Sequence, residues 1–150
     1  MEHFCDTSFL CALYGKDAHS AAAERFVRSH RKALWISPMI DFEFTNGVKH
    51  RLFRKVLTRS QADTMLANLQ TDLNAGRLIV PPCPMSDILA EAKKLALLHT
   101  ETDGYRSFDI LHVATASRMK ASGFLTFDRN QRRLAGIAGL KPPDFNGSDF

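Results

Sequence analysis

The sequence predicts an α/β protein, a three-layer α/β/α sandwich around a parallel sheet of about five strands. Two observations predict this class. Short apolar runs typical of β-strands alternate along the chain with longer amphipathic stretches of helical spacing. Strands that are separated by helices pair in parallel. The 150 residues, 45% of them hydrophobic, suffice for one domain with its own core, which we expect to span residues 1–150.

The strand-like runs are short and evenly distributed. They lie at residues 3–5, 33–36, 77–80 and 123–127, and a fifth, fainter run lies at 139–142 around Leu140. In open sheets of this kind, ligands bind outside the carboxyl ends of the strands. The side chains that follow each run are therefore the candidates for a functional site.

Capping residues indicate where the helices begin and end. Ser37 followed by Pro38 is typical of an N-cap and the first helical position. Residues 60–63, Ser-Gln-Ala-Asp, resemble a capping box with Asp in place of Glu, and that helix is expected to end at Gly76. A proline-rich connector occupies 81–84. Ser107 is the expected cap of a helix over 108–120, whose apolar residues on all sides indicate burial.

Acidic side chains lie at several of these strand ends. Asp6 directly follows the first strand, and Asp128 directly follows the fourth. Glu43 lies on the helix that begins where the second strand ends, and Asp109 lies in the first turn of the buried helix. Thr126 precedes Asp128 by two residues, so strand alternation directs both side chains to the same face. We expect all four acids to converge on one edge of the sheet.

Each acid taken alone has a structural explanation. Asp109 and Asp128 can cap helices, and Glu43 can pair with an arginine. Together, however, clustered carboxylates repel one another unless a cation holds them. Oxygen-only clusters suit Mg²⁺ or Mn²⁺, and the chemistry that matches such a site is metal-assisted hydrolysis of a phosphodiester.

The same segments carry a resemblance to a known family. Cys-Asp-Thr-Ser at 5–8, Ser-Pro-Met-Ile-Asp-Phe-Glu at 37–43, Phe-Asp-Ile-Leu-His-Val-Ala-Thr-Ala at 108–116 and Leu-Thr-Phe-Asp at 125–128 resemble the signature blocks of the PIN-domain family. The similarity is greatest to VapC-type toxins of toxin–antitoxin pairs. It implies a Mg²⁺- or Mn²⁺-dependent endoribonuclease that forms homodimers and is inhibited by a small antitoxin in its active-site groove.

The resemblance also implies roles for individual residues. The catalytic and metal-binding quartet would be Asp6, Glu43, Asp109 and Asp128, with Thr126 and Ser8 as supporting polar groups. Neighbouring residues are weaker candidates. Asp41 lies about 200° around the helix from Glu43, so only one of the two can face the site. His112 is one turn from Asp109 and is interpreted as a hydrogen-bonded core residue, with an orienting role as the alternative.

The net charge is +4, and its distribution suggests a nucleic-acid partner. Residues 44–62 hold basic side chains and no acidic ones, and the candidate RNA-binding residues among them are Lys49, Arg51, Arg54 and Lys55. A solvated helix face, a dimer interface or an antitoxin surface would explain the same pattern. The charge pattern leaves these alternatives open.

Several other classes of protein fit the sequence less well. No apolar run reaches the ~18–20 residues of a membrane span, and the first residues do not form a secretory signal, so we expect a cytoplasmic protein without a membrane partner. Asn146-Gly147-Ser148 is then a chance match to a glycosylation sequon. An aspartyl-nucleophile phosphohydrolase would need a second acid where Ser8 stands. The remaining alternative is a catalytically silent RNA- or protein-binding module with the PIN fold.

Overall fold

The computed structural model describes residues 1–145, within which four strands and seven helices lie. The strands are β1 (His3–Cys5), β2 (Leu34–Trp35), β3 (Leu78–Ile79) and β4 (Gly123–Leu125). The helices are α1 (Thr7–Tyr14), α2 (Ser20–Ser29), α3 (Pro38–Phe53), α4 (Arg59–Asn74), α5 (Met85–Asp103), α6 (Ser107–Arg118) and α7 (Arg129–Ile137). The sequon predicted at 146–148 lies outside the described residues.

The predicted α/β class with a parallel central sheet is confirmed. The strand order is β3-β2-β1-β4, and every pairing is parallel. Helices α1 to α4 pack on one another, as do α5, α6 and α7. The expectation of about five strands is wrong for residues 1–145, because the run at 139–142 makes only one bridge, between Gly123 and Lys141.

The pairing of β1 with β4 determines which residues meet beyond the strand ends. His3 lies opposite Gly123, and Cys5 lies opposite Leu125. The ladder ends with the N–H of Asp6 donating to the carbonyl of Leu125 at 3.0 Å, so the chain leaves both strands at the same edge. Position 123 requires glycine, because a Cβ there would collide with the His3 ring.

Two of the predicted helix starts need correction. Ser37 caps α3 as predicted, accepting the N–H of Ile40 at 3.1 Å. The capping box of α4 is formed by Thr58 and Gln61 instead of residues 60–63. Ser107 does not cap α6, because it is already the first residue of the helix. The N-cap position is occupied by Arg106, whose side chain makes no capping hydrogen bond.

The core lies between the sheet and both helix groups. Phe4, Phe9, Phe44 and Phe124 are fully buried, and each contributes about 2–3 kcal/mol of hydrophobic stabilisation. Helix α6 is buried along most of its length, as its apolar sequence predicts. Within residues 1–145, no helix is both long and apolar enough to cross a bilayer.

Candidate active site

Asp6 is a fully buried carboxylate at the carboxyl end of β1. Its Oδ1 accepts the backbone N–H of Phe9 at 2.9 Å, which makes it the N-cap of α1, and the Ser8 hydroxyl at 2.7 Å. Its Oδ2 accepts the hydroxyl of Thr126. Burial raises the pKa of Asp6 to about 6, although these hydrogen bonds favour the charged form. The carboxylate is therefore oriented by α1 and by the residue that follows β4, and it is costly to keep ionised.

Ser8 and Thr126 connect Asp6 to the segment that follows β4. The N–H of Phe127 donates to Ser8 Oγ at 2.9 Å, and the N–H of Asp128 donates to Thr126 Oγ1 at 2.9 Å. The strand ends at Leu125, so the prediction that strand alternation aligns Thr126 with Asp128 is wrong. Instead, the Thr126 hydroxyl connects the two residues, since it donates to the Asp6 carboxylate and accepts the backbone N–H of Asp128.

Asp128 has the helix-capping role that we considered as its structural explanation. Its Oδ1 accepts the N–H of Gln131 at 2.8 Å at the start of α7. Asp6 caps α1 in the same way, which sequence reasoning missed. A capping carboxylate uses only part of its acceptor capacity, because each carboxylate offers about four lone-pair sites. Asp128 can therefore cap α7 and still bind a further donor or a cation, whereas the fully buried carboxylate of Asp6 already accepts hydrogen bonds from Phe9, Ser8 and Thr126.

Glu43 reaches the site from α3 and is held by two side chains. It accepts the hydroxyl of Thr7, and the Nε2 of His112 lies 3.1 Å from its Oε1. Burial raises the pKa of Glu43, but the hydrogen bonds from His112 and Thr7 outweigh it, so its pKa is lowered overall. Glu43 therefore stays ionised at neutral pH, and no arginine within residues 1–145 forms the ion pair that we considered for it.

His112 is fully buried on α6, as we expected of a core residue. Its hydrogen-bond partner is Glu43. The alternative that we considered from the sequence was that His112 orients Asp109. Since Glu43 Oε1 is an acceptor, the Nε2 of His112 carries the proton. Thr7 was missed altogether, although it directly follows Asp6 in the first resembling segment.

Asp109 lies in the first turn of α6 with 17% of its side chain exposed. Burial raises its pKa, the charges of Asp128 and Glu43 raise it further, and Arg106, 3.8 Å away, opposes them. The capping role considered for Asp109 is wrong, because the residue lies inside the helix. Its carboxylate therefore shares one electrostatic environment with Asp128 and Glu43.

A cleft of about 380 Å³ opens beside these groups, and of the four acids Glu43 and Asp128 line it whereas Asp6 and Asp109 do not. Its walls include Glu43, Asp128 and Arg51. The other lining residues are Thr7, Ser8, Cys11, Asp17, His19, Phe127 and Gln131. Of the basic residues that we considered for RNA binding, Arg51 lies in the cleft, about two turns along α3 from Glu43. Lys49, Arg54 and Lys55 are exposed and do not line it.

The donor chemistry of the site fits a hard divalent cation. All four acids carry oxygen atoms that could ligate a cation. Burial and then the negative charges of Asp128 and Glu43 raise the pKa of Asp109, and a cation would relieve that repulsion. Within residues 1–145, no three His, Cys, Asp or Glu side chains are close enough to ligate one ion together. Mg²⁺ commonly takes only one or two protein carboxylates and fills its shell with water and phosphate oxygens, which this arrangement allows.

Comparison with known proteins gives a consistent result. The PIN domain profile matches residues 3–137. The crystal structure of Mycobacterium tuberculosis VapC20, a toxin that cleaves the Sarcin-Ricin loop, matches with a TM-score of 0.66 and 20% identity, covering 92% of this chain and 95% of that chain. PAE2754 from Pyrobaculum aerophilum matches with a TM-score of 0.63 and 18% identity, covering 95% and 83%. No curated protein matches the sequence.

Proposed function

The chain belongs to the PIN-domain family, and we propose that it is a Mg²⁺- or Mn²⁺-dependent endoribonuclease that hydrolyses RNA phosphodiester bonds. One observation carries the proposal. The hydrogen bonds through Ser8 and Thr126 connect Asp6 to the segment that bears Asp128, beside a cleft that also holds Glu43. Members of this family are typically nucleases.

The carboxylates would hold the cation partly through bridging water molecules. We assign Asp6, Asp109 and Asp128 as its principal ligands, directly or through water, and Glu43 as the group that completes the shell. When bound, the cation polarises the phosphoryl group and stabilises the leaving oxygen. The raised pKa values of Asp6 and Asp109 favour cation binding, because a positive charge stabilises both carboxylates in their ionised form.

Glu43 is also the proposed proton acceptor. Its lowered pKa keeps it ionised at neutral pH, it lines the cleft, and Thr7 and His112 fix its carboxylate. A carboxylate in this position can take a proton from the water that attacks the phosphorus. Arg51, on the wall of the same cleft, is placed to bind a phosphate of the RNA backbone.

We further propose that the protein is the toxin of a toxin–antitoxin pair. The resemblance of its motifs to VapC-type toxins and the fold that it shares with VapC20 support this role. A cognate antitoxin and a second copy of the chain are the expected protein partners. Exposed apolar side chains such as Phe53 (81%) and Leu97 (75%) offer contact area for them. The proposal places the protein in the cytoplasm with its RNA substrate.

The nuclease is tested with purified full-length protein, freed of any antitoxin, and total RNA. Cleavage is expected with Mg²⁺ or Mn²⁺, and none with chelator or in the Asp109→Asn variant. Asp41→Asn is the matched control and should leave cleavage unchanged, because Asp41 lies on α3 about 200° around the helix from Glu43 and does not line the cleft. Absence of cleavage by folded wild type with either cation would favour a silent binding module. Growth arrest on expression, lost in Asp109→Asn, tests the toxin role.

A further inference from the structure

Two stacked aromatic rings form part of the cleft wall. The rings of His19 and Phe127 lie 4.4 Å apart between centroids, with an angle of 9° between their planes. Both residues line the cleft that holds Glu43 and Asp128. Phe127 lies directly between Thr126 and Asp128 in the sequence, so the pair is adjacent to the acidic cluster.

The Phe127 ring is held firmly from behind. It stacks on Phe9 at 5.8 Å with an interplanar angle of 10°, and it contacts Phe145 at 4.8 Å. Its backbone N–H donates to Ser8, which in turn donates to Asp6. Through these contacts the His19–Phe127 pair has a fixed position relative to the acids, and a preorganised surface loses little entropy when it binds a ligand.

The fold does not account for the His19 side chain. His19 occupies the N-cap position of α2, but its side chain makes no capping hydrogen bond. Its buried Nδ1 has no hydrogen-bond partner within residues 1–145. The backbone is held independently, because the N–H of His19 donates to Asp17 Oδ1 at 2.7 Å. The ring contributes its stacking surface to the cleft instead of an interaction that stabilises the helix.

We propose that the His19–Phe127 pair is a nucleobase-stacking subsite, and that an unpaired RNA base stacks on the face of the His19 ring away from Phe127. This inference rests on the proposed function and names its substrate as single-stranded or looped RNA. Aromatic side chains recognise RNA bases that are free of a duplex stack, whereas bases within a duplex are already stacked and paired. The phosphate next to the stacked base would then lie at Glu43 and Asp128.

The dimensions of the cleft and the position of Arg51 agree with this ligand. Its volume of about 380 Å³ lies within the ~300–1,000 Å³ range of small-ligand sites. Arg51 supplies a positive charge for a neighbouring phosphate. The cleft also contains the exposed carboxylate of Asp17, which already accepts the His19 N–H. The stacking face and the phosphate-binding groups thus occupy one continuous surface.

The test measures binding of 12-nucleotide RNAs that carry a central 2-aminopurine, alone or paired with a complementary strand. All variants are made in the non-cleaving Asp109→Asn protein with Mg²⁺ present. We expect His19→Ala to weaken binding of the single strand about fivefold to 100-fold, in line with loss of one stacked base, and to abolish quenching of 2-aminopurine. His19→Phe should restore both properties. Binding of the duplex should be the same in all of these variants.

His99→Ala is the matched control, because His99 lies on α5 and does not line the cleft. Equal binding and quenching in His19→Ala and its parent would overturn the inference, while cleavage of total RNA by wild type would leave the proposed nuclease intact. Conversely, His19-dependent quenching without any cleavage by wild type would support the subsite and overturn the nuclease. Circular dichroism of each variant shows that the fold is retained.

Discussion

Replacing Asp6 with asparagine should stabilise the protein in the absence of divalent cations. The carboxylate is fully buried, and burial raises its pKa from 3.8 to about 6, which corresponds to about 3 kcal/mol of destabilisation when it is ionised. Asparagine caps helices about as well as aspartate, so the N-cap of α1 survives. Rearranged hydrogen bonds with Ser8 and Thr126 cost about 1 kcal/mol. A net gain of about 2 kcal/mol remains.

The gain should depend on pH in a defined direction. Because the folded pKa of Asp6 is raised, its neutral form stabilises the fold below pH 3.8, and this stability is lost as the pH rises through about 6. An asparagine side chain carries no charge at any pH, so the Asp6→Asn variant lacks this loss. The two proteins should therefore differ fully at pH 7.5 and hardly at all near pH 4.

The assay is urea unfolding of wild type and Asp6→Asn in chelator, at pH 4 and pH 7.5, with thermal melts alongside. A gain of about 2 kcal/mol corresponds to an increase in Tm of about 4–8 °C. Added Mn²⁺ should stabilise wild type and leave the variant unchanged, while RNA cleavage is lost in the variant. A variant that is less stable than wild type at pH 7.5, or equally shifted at both pH values, would refute the reasoning.

Three further predictions concern the surroundings of the site and the opposite edge of the sheet. His112→Leu removes the hydrogen bond to Glu43 and should lower the cleavage rate about tenfold. His112→Gln keeps a hydrogen-bond donor and should retain more activity. Cleavage rates at several Mn²⁺ concentrations measure both effects. Burial lowers the pKa of His3 to about 4, so protonation of His3 alone should cost wild type up to about 3 kcal/mol between pH 7 and pH 4; the difference between wild type and His3→Phe in urea unfolding at the two pH values isolates this loss from the opposite contribution of Asp6. Arg51→Gln should reduce the slope of log K against log salt for single-stranded RNA by about 0.7, with exposed Lys94→Gln as the unchanged control, measured by fluorescence anisotropy.

The sequence located the acids well because their positions depend on local order along the chain. Asp6 directly follows β1, and Asp128 lies shortly after the end of β4 at Leu125. Parallel strands end at one edge of the sheet. Glu43 follows a well-marked cap at Ser37, so its place on α3 was predictable from the first turn of the helix.

Apolar character alone could not show that the expected fifth strand is reduced to a single bridge. Pro142 and Pro143 follow the bridge at Lys141, and proline has no N–H to donate to a ladder. The capping box was misplaced for a similar local reason. Gln61 lies three residues after Thr58, and its side chain is longer than that of Asp63. Its Oε1 therefore reaches back to accept the backbone N–H of the N-cap residue Thr58 at 2.9 Å.

The hydrogen bonds that hold Glu43 depend on tertiary structure. Thr7 and His112 are 36 and 69 positions from Glu43 in the sequence, and no local pattern relates them. His19 and Phe127 are farther apart still along the chain, and only the folded structure brings the two rings together. Side-chain partners that cross between elements are the part of this site that sequence reasoning could not supply.

The central claim is that the acids form one divalent-cation site, and Mn²⁺ binding measured by electron paramagnetic resonance tests it most directly. We predict saturable binding to wild type and to Asp41→Asn, and marked weakening in Glu43→Gln, Asp109→Asn and Asp128→Asn alike. The loss should be shared because the proposal assigns the three carboxylates to one site, and the charges of Asp128 and Glu43 both act on Asp109. Equal Mn²⁺ binding by all of these proteins would contradict the account.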